Sequence, residues 1–213
     1  SFQYGEVDDR GDQTVLFSAL YMHSNHDLLS PDDTASLKID GVVYPMVAFL
    51  GASSGLWSGY AVFDADVPHE FEFVYNDQVK AETIMKLPSV PEAQFPTAFD
   101  PTEEAYFSWQ LSSNSQYQFA GADAYNFYTE DTAGHSVNLN PSVRSITIPA
   151  NAITDLGMGT EYTLSINQMN YKRVGRISFT GYAMASANYG ATGPDGSLTR
   201  IVGSGFAQTY GTR

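Results

Sequence analysis

The stretch that decides the fold is Leu156-Gly-Met-Gly-Thr-Glu-Tyr162-Thr-Leu-Ser-Ile166. A leucine and a glycine-bearing turn precede a tyrosine, and the tyrosine opens a run in which apolar and polar residues alternate. This order is typical of one corner of a β-sandwich, where the tyrosine ring packs in the core and its hydroxyl bonds back to the preceding turn. We therefore expect Tyr162 to be buried, with its hydroxyl bonded to the backbone near Leu156 or Gly157.

Short strands separated by turns fill the rest of the chain. In the run 69–75, large apolar residues alternate with acidic residues, which predicts a strand with one buried face and one face in water. Asp40-Gly41 lies between the alternating runs 35–39 and 42–49, and Asp-Gly in that position is a strong signal for a β-hairpin. No segment of ten or more residues has the period of an α-helix, so we predict an all-β chain with very little helix.

The length and one proline-rich segment predict two domains. A chain of 213 residues is too long for one small sandwich of about 100 residues and suits two. Residues 87–96 hold three prolines and no hydrophobic period, so they are typical of an extended connector. We place the boundary there, with an N-terminal β-sandwich over 1–88 and a second β-sandwich over 89–213.

The second half resembles a fibronectin type III or related immunoglobulin-like module over roughly 91–190. The resemblance rests on the lead-in 91–96, the early strand Phe107-Ser-Trp109, the strand 145–149 and the tyrosine corner. It implies a role as a spacer, adhesion or ligand-binding unit, with no catalytic residues to carry over. With the length and the connector, we predict two tandem immunoglobulin-like antiparallel β-sandwiches. A C-terminal hairpin after Gly196 and a long stretch before Ser145 depart from the pattern.

Charge and cysteine content exclude several functions. The 10 basic residues against 24 acidic ones give a net charge of −14, so a nucleic-acid partner is not expected. The absence of cysteine excludes disulfides, zinc–thiolate sites and thiol catalysis. No apolar run is long enough to predict a transmembrane segment. We expect a monomer or weak oligomer that is secreted, periplasmic or on a bacterial cell surface, and that the segment upstream of Ser1 was removed.

Clusters of acidic residues are candidate calcium ligands, because Ca²⁺ prefers carboxylate and carbonyl oxygens. One cluster is Asp64 and Asp66, and another is Asp100, Glu103 and Glu104 near the domain boundary. Neither has the spacing of a helix–loop–helix calcium site. The alternative is that these carboxylates are exposed to solvent on loops and bind no metal. We expect no cofactor other than calcium.

Aromatic residues are candidate ligand contacts, because planar rings that remain exposed can stack on the face of a sugar. Trp57 follows a loop of small residues, and Tyr125 and Tyr128 lie in a crowded aromatic region. These three residues predict a ligand-binding surface for a protein or glycan at a cell surface. The predicted function is a non-catalytic binding, adhesion or structural module, with a carbohydrate-binding module as the first alternative.

A small extracellular hydrolase is the second alternative. His23, His26 and Asp27 lie close together in sequence, but no Gly-x-Ser-x-Gly nucleophile motif accompanies them. The tripeptide Arg10-Gly11-Asp12 is one that integrins bind, although a run rich in Asp and Gly also produces it by chance. We therefore predict that the chain is not an enzyme.

The melting temperature tests whether the acidic clusters bind calcium. Exposed charges respond to ionic strength alone, so we expect calcium chloride and sodium chloride at matched ionic strength to raise the midpoint equally. A rise of several degrees that is specific to calcium and reversed by chelator would instead indicate a built calcium site.

Overall fold

The chain is all-β, as predicted. A computed structural model describes the backbone of residues 2–7, 13–20, 33–48, 56–63, 67–175, 177–191 and 198–201, and the side chains of 33–45, 67–175 and 177–190. No helix occurs in these ranges, and so none there is long and apolar enough to cross a membrane. The strands are β1 (Phe2–Val7), β2 (Gln13–Leu20), β3 (Ala35–Ile39), β4 (Val42–Ala48), β5 (Leu56–Phe63), β6 (Pro68–Tyr75), β7 (Gln78–Lys86), β8 (Glu92–Gln94), β9 (Ala105–Gln110), β10 (Tyr117–Asn126), β11 (Thr132–Leu139), β12 (Ser145–Ile148), β13 (Thr160–Val174), β14 (Ile177–Ala191) and β15 (Leu198–Ile201).

The chain divides into two compact units. The first contains Ser1–Pro88 and Met169–Tyr182, and the second contains Ser89–Gln168 and Ala183–Arg213. One division therefore falls at Pro88, next to the predicted boundary, but the tip of the β13–β14 hairpin belongs to the first unit. The arrangement as two tandem sandwiches split once, into 1–88 and 89–213, stays a prediction.

The first unit is built on strands that alternate as the sequence predicts. Its sheet runs β1-β2-β5-β4-β3-β6-β7, and β1 also pairs in parallel with β14 at Phe2 and Gly181. Phe71, Phe73 and Tyr75 of β6 are buried, whereas Glu70 is exposed and Glu72 pairs with Lys38. Asp40 and Gly41 both have positive φ (49° and 84°), which matches the twisted two-residue turn expected for a β-hairpin. The core of this unit consists of Ala35, Leu37, Ile39, Phe71, Phe73, Tyr75, Ala81, Met85, Leu87 and Phe179.

The second unit contains strands of two sheets. One has the order β11-β10-β13-β14, with β15 beside β14, and the other has the order β12-β9-β8. The outer strands of the three-stranded sheet are short, and prolines flank them: Pro91 precedes β8 and Pro149 follows β12. Side chains from both sheets form one buried cluster that includes Phe107, Trp109 and Leu164.

Two buried amides lie inside this cluster. Gln118 Oε1 accepts from Gln168 Nε2 at 2.7 Å and from Trp109 Nε1 at 3.3 Å. Gln118 Nε2 donates to the carbonyl of Val143 at 3.0 Å. Because buried polar atoms are costly when unpaired, this network fixes β9, β10 and β13 relative to one another within the unit.

Tyr162 occupies the predicted corner. Its side chain is buried, and its ring packs edge-on against Phe99 with the centroids 5.5 Å apart. The hydroxyl donates to Asp155 Oδ1 at 3.0 Å, a side-chain acceptor that the sequence pattern did not predict. The same oxygen accepts the N–H of Gly157 at 2.9 Å, so Asp155 joins the tyrosine to the turn. Burial, together with the hydrogen bond to Asp155, raises the pKa of Tyr162 to about 12.

We predict that Tyr162→Phe lowers the free energy of unfolding by about 1 kcal/mol at neutral pH. The ring stays packed, and the exposed Asp155 carboxylate can bond to water instead. An unfolded tyrosine loses its proton near pH 10, whereas folded Tyr162 keeps it to about 12. The stability of the wild-type chain should therefore fall relative to the Phe variant as pH rises from about 10 to 12. Urea unfolding across this range measures the difference, and parallel pH curves for the two chains would contradict it.

Candidate functional site

Strand β10 places aromatic side chains at one end of the second unit. Its inward residues are small, with Ala120, Ala122 and Ala124 all buried. The alternate residues face outward, so Asp123 and Tyr125 lie on the surface near the point where the strand ends. The turn after β10 then carries two further aromatic residues into solvent.

The apolar tip of this unit consists of Phe127, Tyr128 and Met158. These side chains are 60%, 78% and 88% exposed, although each is large and apolar. They come from two turns, since Phe127 and Tyr128 follow β10 whereas Met158 lies in the turn before β13. The N–H of Phe127 donates to the carbonyl of Gly159 at 3.1 Å and joins the two turns.

Two glycines shape the turn that carries Met158. Gly157 and Gly159 have φ values of +84° and +85°, which side chains other than glycine rarely adopt. A Cβ on Gly159 would lie 2.3 Å from Cδ2 of Tyr128, so the tyrosine ring packs directly against the bare backbone. The two glycines therefore allow the chain to turn, and Gly159 also leaves room for the ring of Tyr128 to pack against the backbone.

A single buried amide, Asn126, connects the two turns. Its Nδ2 donates to the carbonyls of Leu156 and Met158 at 2.8 and 3.0 Å. Its Oδ1 accepts the backbone N–H groups of Tyr128 and Thr129 at 2.8 and 3.2 Å. Asn126 is only 2% exposed, so its amide has little access to water and depends on these bonds, which hold both turns in one conformation.

A shallow depression of about 370 Å³ lies beside the apolar tip. Tyr125 and Phe127 form one wall, with their rings perpendicular and 5.1 Å apart. Asp123 and Glu161 also line it. The neighbouring strands withdraw the Asp123 carboxyl partly from water, and this burial raises its pKa.

Acidic residues lie within four positions of the apolar tip along the chain. Glu130 and Asp131 are exposed in the turn after β10, and Asp155 is exposed just before the turn of Met158. No lysine or arginine occurs between Lys86 and Lys172 except Arg144. The tip thus combines an apolar centre with a negative rim.

The structure brings two of the three predicted ligand contacts to this region. Tyr125 is 40% exposed in β10, and Tyr128 is in the following turn. β10 ends at Asn126, and the turn that contains Phe127 and Tyr128 begins directly after it. Trp57 belongs to β5, and its side chain lies outside the described residues. Phe127 and Asn126 belong to the crowded aromatic region of the sequence, but they were not among the predicted ligand contacts, and Met158 was not singled out.

The predicted calcium ligands divide into two sets. Asp64 and Asp66 lie outside the described residues. Asp100, Glu103 and Glu104 are exposed, and Asp100 Oδ1 accepts the N–H and the hydroxyl of Thr102 at 2.8 and 2.7 Å. These two bonds lower the pKa of Asp100. In the part of the chain that the structure describes, no three His, Cys, Asp or Glu residues are placed to hold a metal ion. Calcium binding stays a prediction.

The candidates for a hydrolase or an integrin-binding site, which are 10–12, His23, His26 and Asp27, lie outside the described residues. A different histidine–carboxylate pair is present in the first unit, where His69 Nδ1 and Asp40 Oδ2 are 2.5 Å apart. Asp40 Oδ1 also accepts the N–H of Glu70 at 2.8 Å. The pair ties the β3–β4 turn to the start of β6, and the bond to His69 lowers the pKa of Asp40.

The sequence matches no protein-family model, and no curated protein is significantly similar to it. The resemblance of residues 91–190 to fibronectin type III modules therefore stays a prediction. Trp109 is buried in β9, Ser145–Ile148 forms β12 and Tyr162 is buried, so the residues that carry the resemblance occupy strands or the core.

We predict that Asn126→Asp destabilises the second unit strongly. The carboxylate has the same shape but cannot donate to the carbonyls of Leu156 and Met158, and it places a buried charge against them. We expect a loss of about 3 kcal/mol or more at pH 7, measured by urea unfolding. The matched control is Asn138→Asp on the exposed face of β11, which should change stability by less than about 0.5 kcal/mol. Equal losses in the two variants would contradict the role given to Asn126.

Proposed function

We propose that this chain is a non-catalytic binding module of an exported bacterial protein and that the apolar tip is where a protein at a cell surface docks. The observation that carries the proposal is the exposure of Phe127, Tyr128 and Met158. Aromatic residues and methionine are enriched at the centres of protein interfaces, and contiguous exposed apolar residues mark interaction sites.

The tip is pre-organised for binding. Asn126 fixes both turns through four hydrogen bonds to backbone atoms, and Tyr128 rests against Gly159. A flexible loop loses conformational entropy when it binds, and this weakens binding. A loop that is already rigid in the folded protein avoids this cost. The apolar side chains are therefore presented at little further entropic cost.

Charge selects the class of partner. Glu130, Asp131 and Asp155 are exposed in or beside the two turns that carry the tip, and the whole chain carries −14. A partner with an apolar pocket bordered by lysine or arginine complements this surface, whereas an anionic membrane or a second copy of the chain is repelled. The acidic, cysteine-free composition also favours a secreted, periplasmic or cell-surface location over the cytosol.

The experiment is binding of the fluorescently labelled chain to intact cells of several bacterial and animal sources, read by flow cytometry. The test variant is Tyr128→Ser with Met158→Ser, and the control is Tyr117→Ser at the other end of β10, which is 52% exposed. We expect the test variant to bind about tenfold or more weakly and the control to bind as the wild type does, because a few central residues dominate interface energies. Binding should also weaken with added salt.

Treatment of the cells separates the classes of ligand. Mild proteolysis of the cell surface should abolish binding if the partner is a protein, whereas periodate oxidation of glycans should leave it intact. Binding that survives proteolysis and is lost after periodate would assign the ligand to a glycan. Equal binding by the wild type and the test variant, or no binding to any of the cells, would overturn the proposal.

A further inference from the structure

We infer that the outer face of the three-stranded sheet β12-β9-β8 binds a neutral saccharide. This site lies on strands other than those that carry the apolar tip, and it does not depend on the function proposed above. It contains Tyr106, which the sequence pattern did not single out. The face includes a depression of about 300 Å³, at the lower end of the range for small-molecule sites.

Strand alternation and register produce the face. Ala105, Phe107 and Trp109 are buried, so Tyr106, Ser108 and Gln110 point away from the core. The flanking strands extend this pattern across the sheet. Ser145 and Gln94 lie directly opposite Ser108, whereas Glu92 lies opposite Gln110 and Thr147 opposite Tyr106.

Tyr106 supplies a stacking surface. Its side chain is 60% exposed although both sequence neighbours, Ala105 and Phe107, are buried. Its backbone is fixed in the central strand of the sheet, so the ring is held at the surface rather than on a mobile loop. One aromatic ring on an otherwise polar face fits a sugar, which presents C–H groups on one side and hydroxyls at its edge, better than a fully apolar ligand.

The polar side chains around the ring match hydroxyl groups. Gln94 and Gln110 each offer both a donor and an acceptor, as do the hydroxyls of Ser108 and Ser145. The described structure gives the Gln94 and Gln110 side chains no hydrogen-bond partner within the protein. A polyhydroxylated ligand would pair with them in place of water.

Charge restricts the saccharide to a neutral one. Arg144 lines the depression, and its Nη1 is held by the carbonyls of Pro141 and Val143 at 2.7 Å each, while its Nη2 donates to Asn114 Oδ1. Glu92 lines the same depression, so the two charges offset each other. With a chain charge of −14 as well, a uronate or sulfated sugar gains no net attraction.

The test is an NMR titration of the purified, ¹⁵N-labelled chain with cellohexaose, xylohexaose, mannohexaose and maltohexaose, each to about 10 mM, where a millimolar ligand is mostly bound. We expect saturable shifts on β8, β9 and β12 for at least one of them. Tyr106→Ala should weaken that binding tenfold or more and Gln94→Ala severalfold. Tyr117→Ala removes a tyrosine of similar exposure on β10 and should change nothing. Circular dichroism of each variant verifies the fold.

Four results would overturn the inference. The first is no saturable shift with any of the four sugars, and the second is unchanged binding by Tyr106→Ala. The third is that the shifts map to Tyr125–Tyr128 instead. The fourth is tighter binding of an oligogalacturonate in a parallel titration under the same conditions, which would assign the face to anionic sugars. The Tyr128→Ser, Met158→Ser variant should bind the saccharide normally, so failure here and failure of the proposed function are distinguishable.

Discussion

The buried amide of Asn126 is the constraint on which this end of the second unit depends. A turn that carries Met158 between two left-handed glycines leaves carbonyl groups that no strand can satisfy, and Asn126 donates to two of them. The same amide accepts from the turn that carries Tyr128. If either turn moved away from Asn126, one end of its buried amide would lose its hydrogen bonds. The two turns therefore form one rigid element. β13, which carries the buried Tyr162, begins directly after the turn of Met158. The same turn therefore positions both a core residue and the exposed tip.

Two surfaces of the second unit differ in chemistry. The apolar tip is formed by side chains of two turns, whereas the outer face of β12-β9-β8 is formed by the outward residues of strands. At the tip, apolar side chains are surrounded by carboxylates, a composition that suits a protein partner with basic groups at its margin. On β12-β9-β8, amides and hydroxyls surround a single ring, and the charges of Glu92 and Arg144 balance. Neither surface disturbs the buried cluster, since alternation lets the outward residues vary while Phe107 and Trp109 stay inside. The unit can therefore carry separate binding surfaces on one core.

The sequence predicted the all-β class, the Asp40–Gly41 hairpin, the buried face of β6 and the burial of Tyr162, because each has a period or a turn residue with a local cause. It did not predict β7 or β11. Their inward positions include small or polar residues such as Ala81 and His135, so apolar and polar residues alternate only weakly along them. The full length of β10 could not be predicted either, because the small side chains of Ala120, Ala122 and Ala124 fill its inward positions and give a weak hydrophobic signal. Neither the hydrogen-bond network of Asn126 nor the exposed ring of Tyr106 could be predicted from the sequence. Their roles depend on which residues lie opposite them in space, which spacing along one strand does not encode.

The prolines beside β8 and β12 limit how other chains can approach the second unit. An exposed outer strand is a template for another strand, and long flat ones lead to aggregation. Here β8 spans three residues after Pro91, β12 spans four before Pro149, and proline offers no N–H to an incoming backbone. The three-stranded sheet therefore resists extension by strand addition, including by an identical molecule at high concentration. A ligand that bound this sheet would contact side chains rather than backbone, so single substitutions could change its specificity without promoting aggregation.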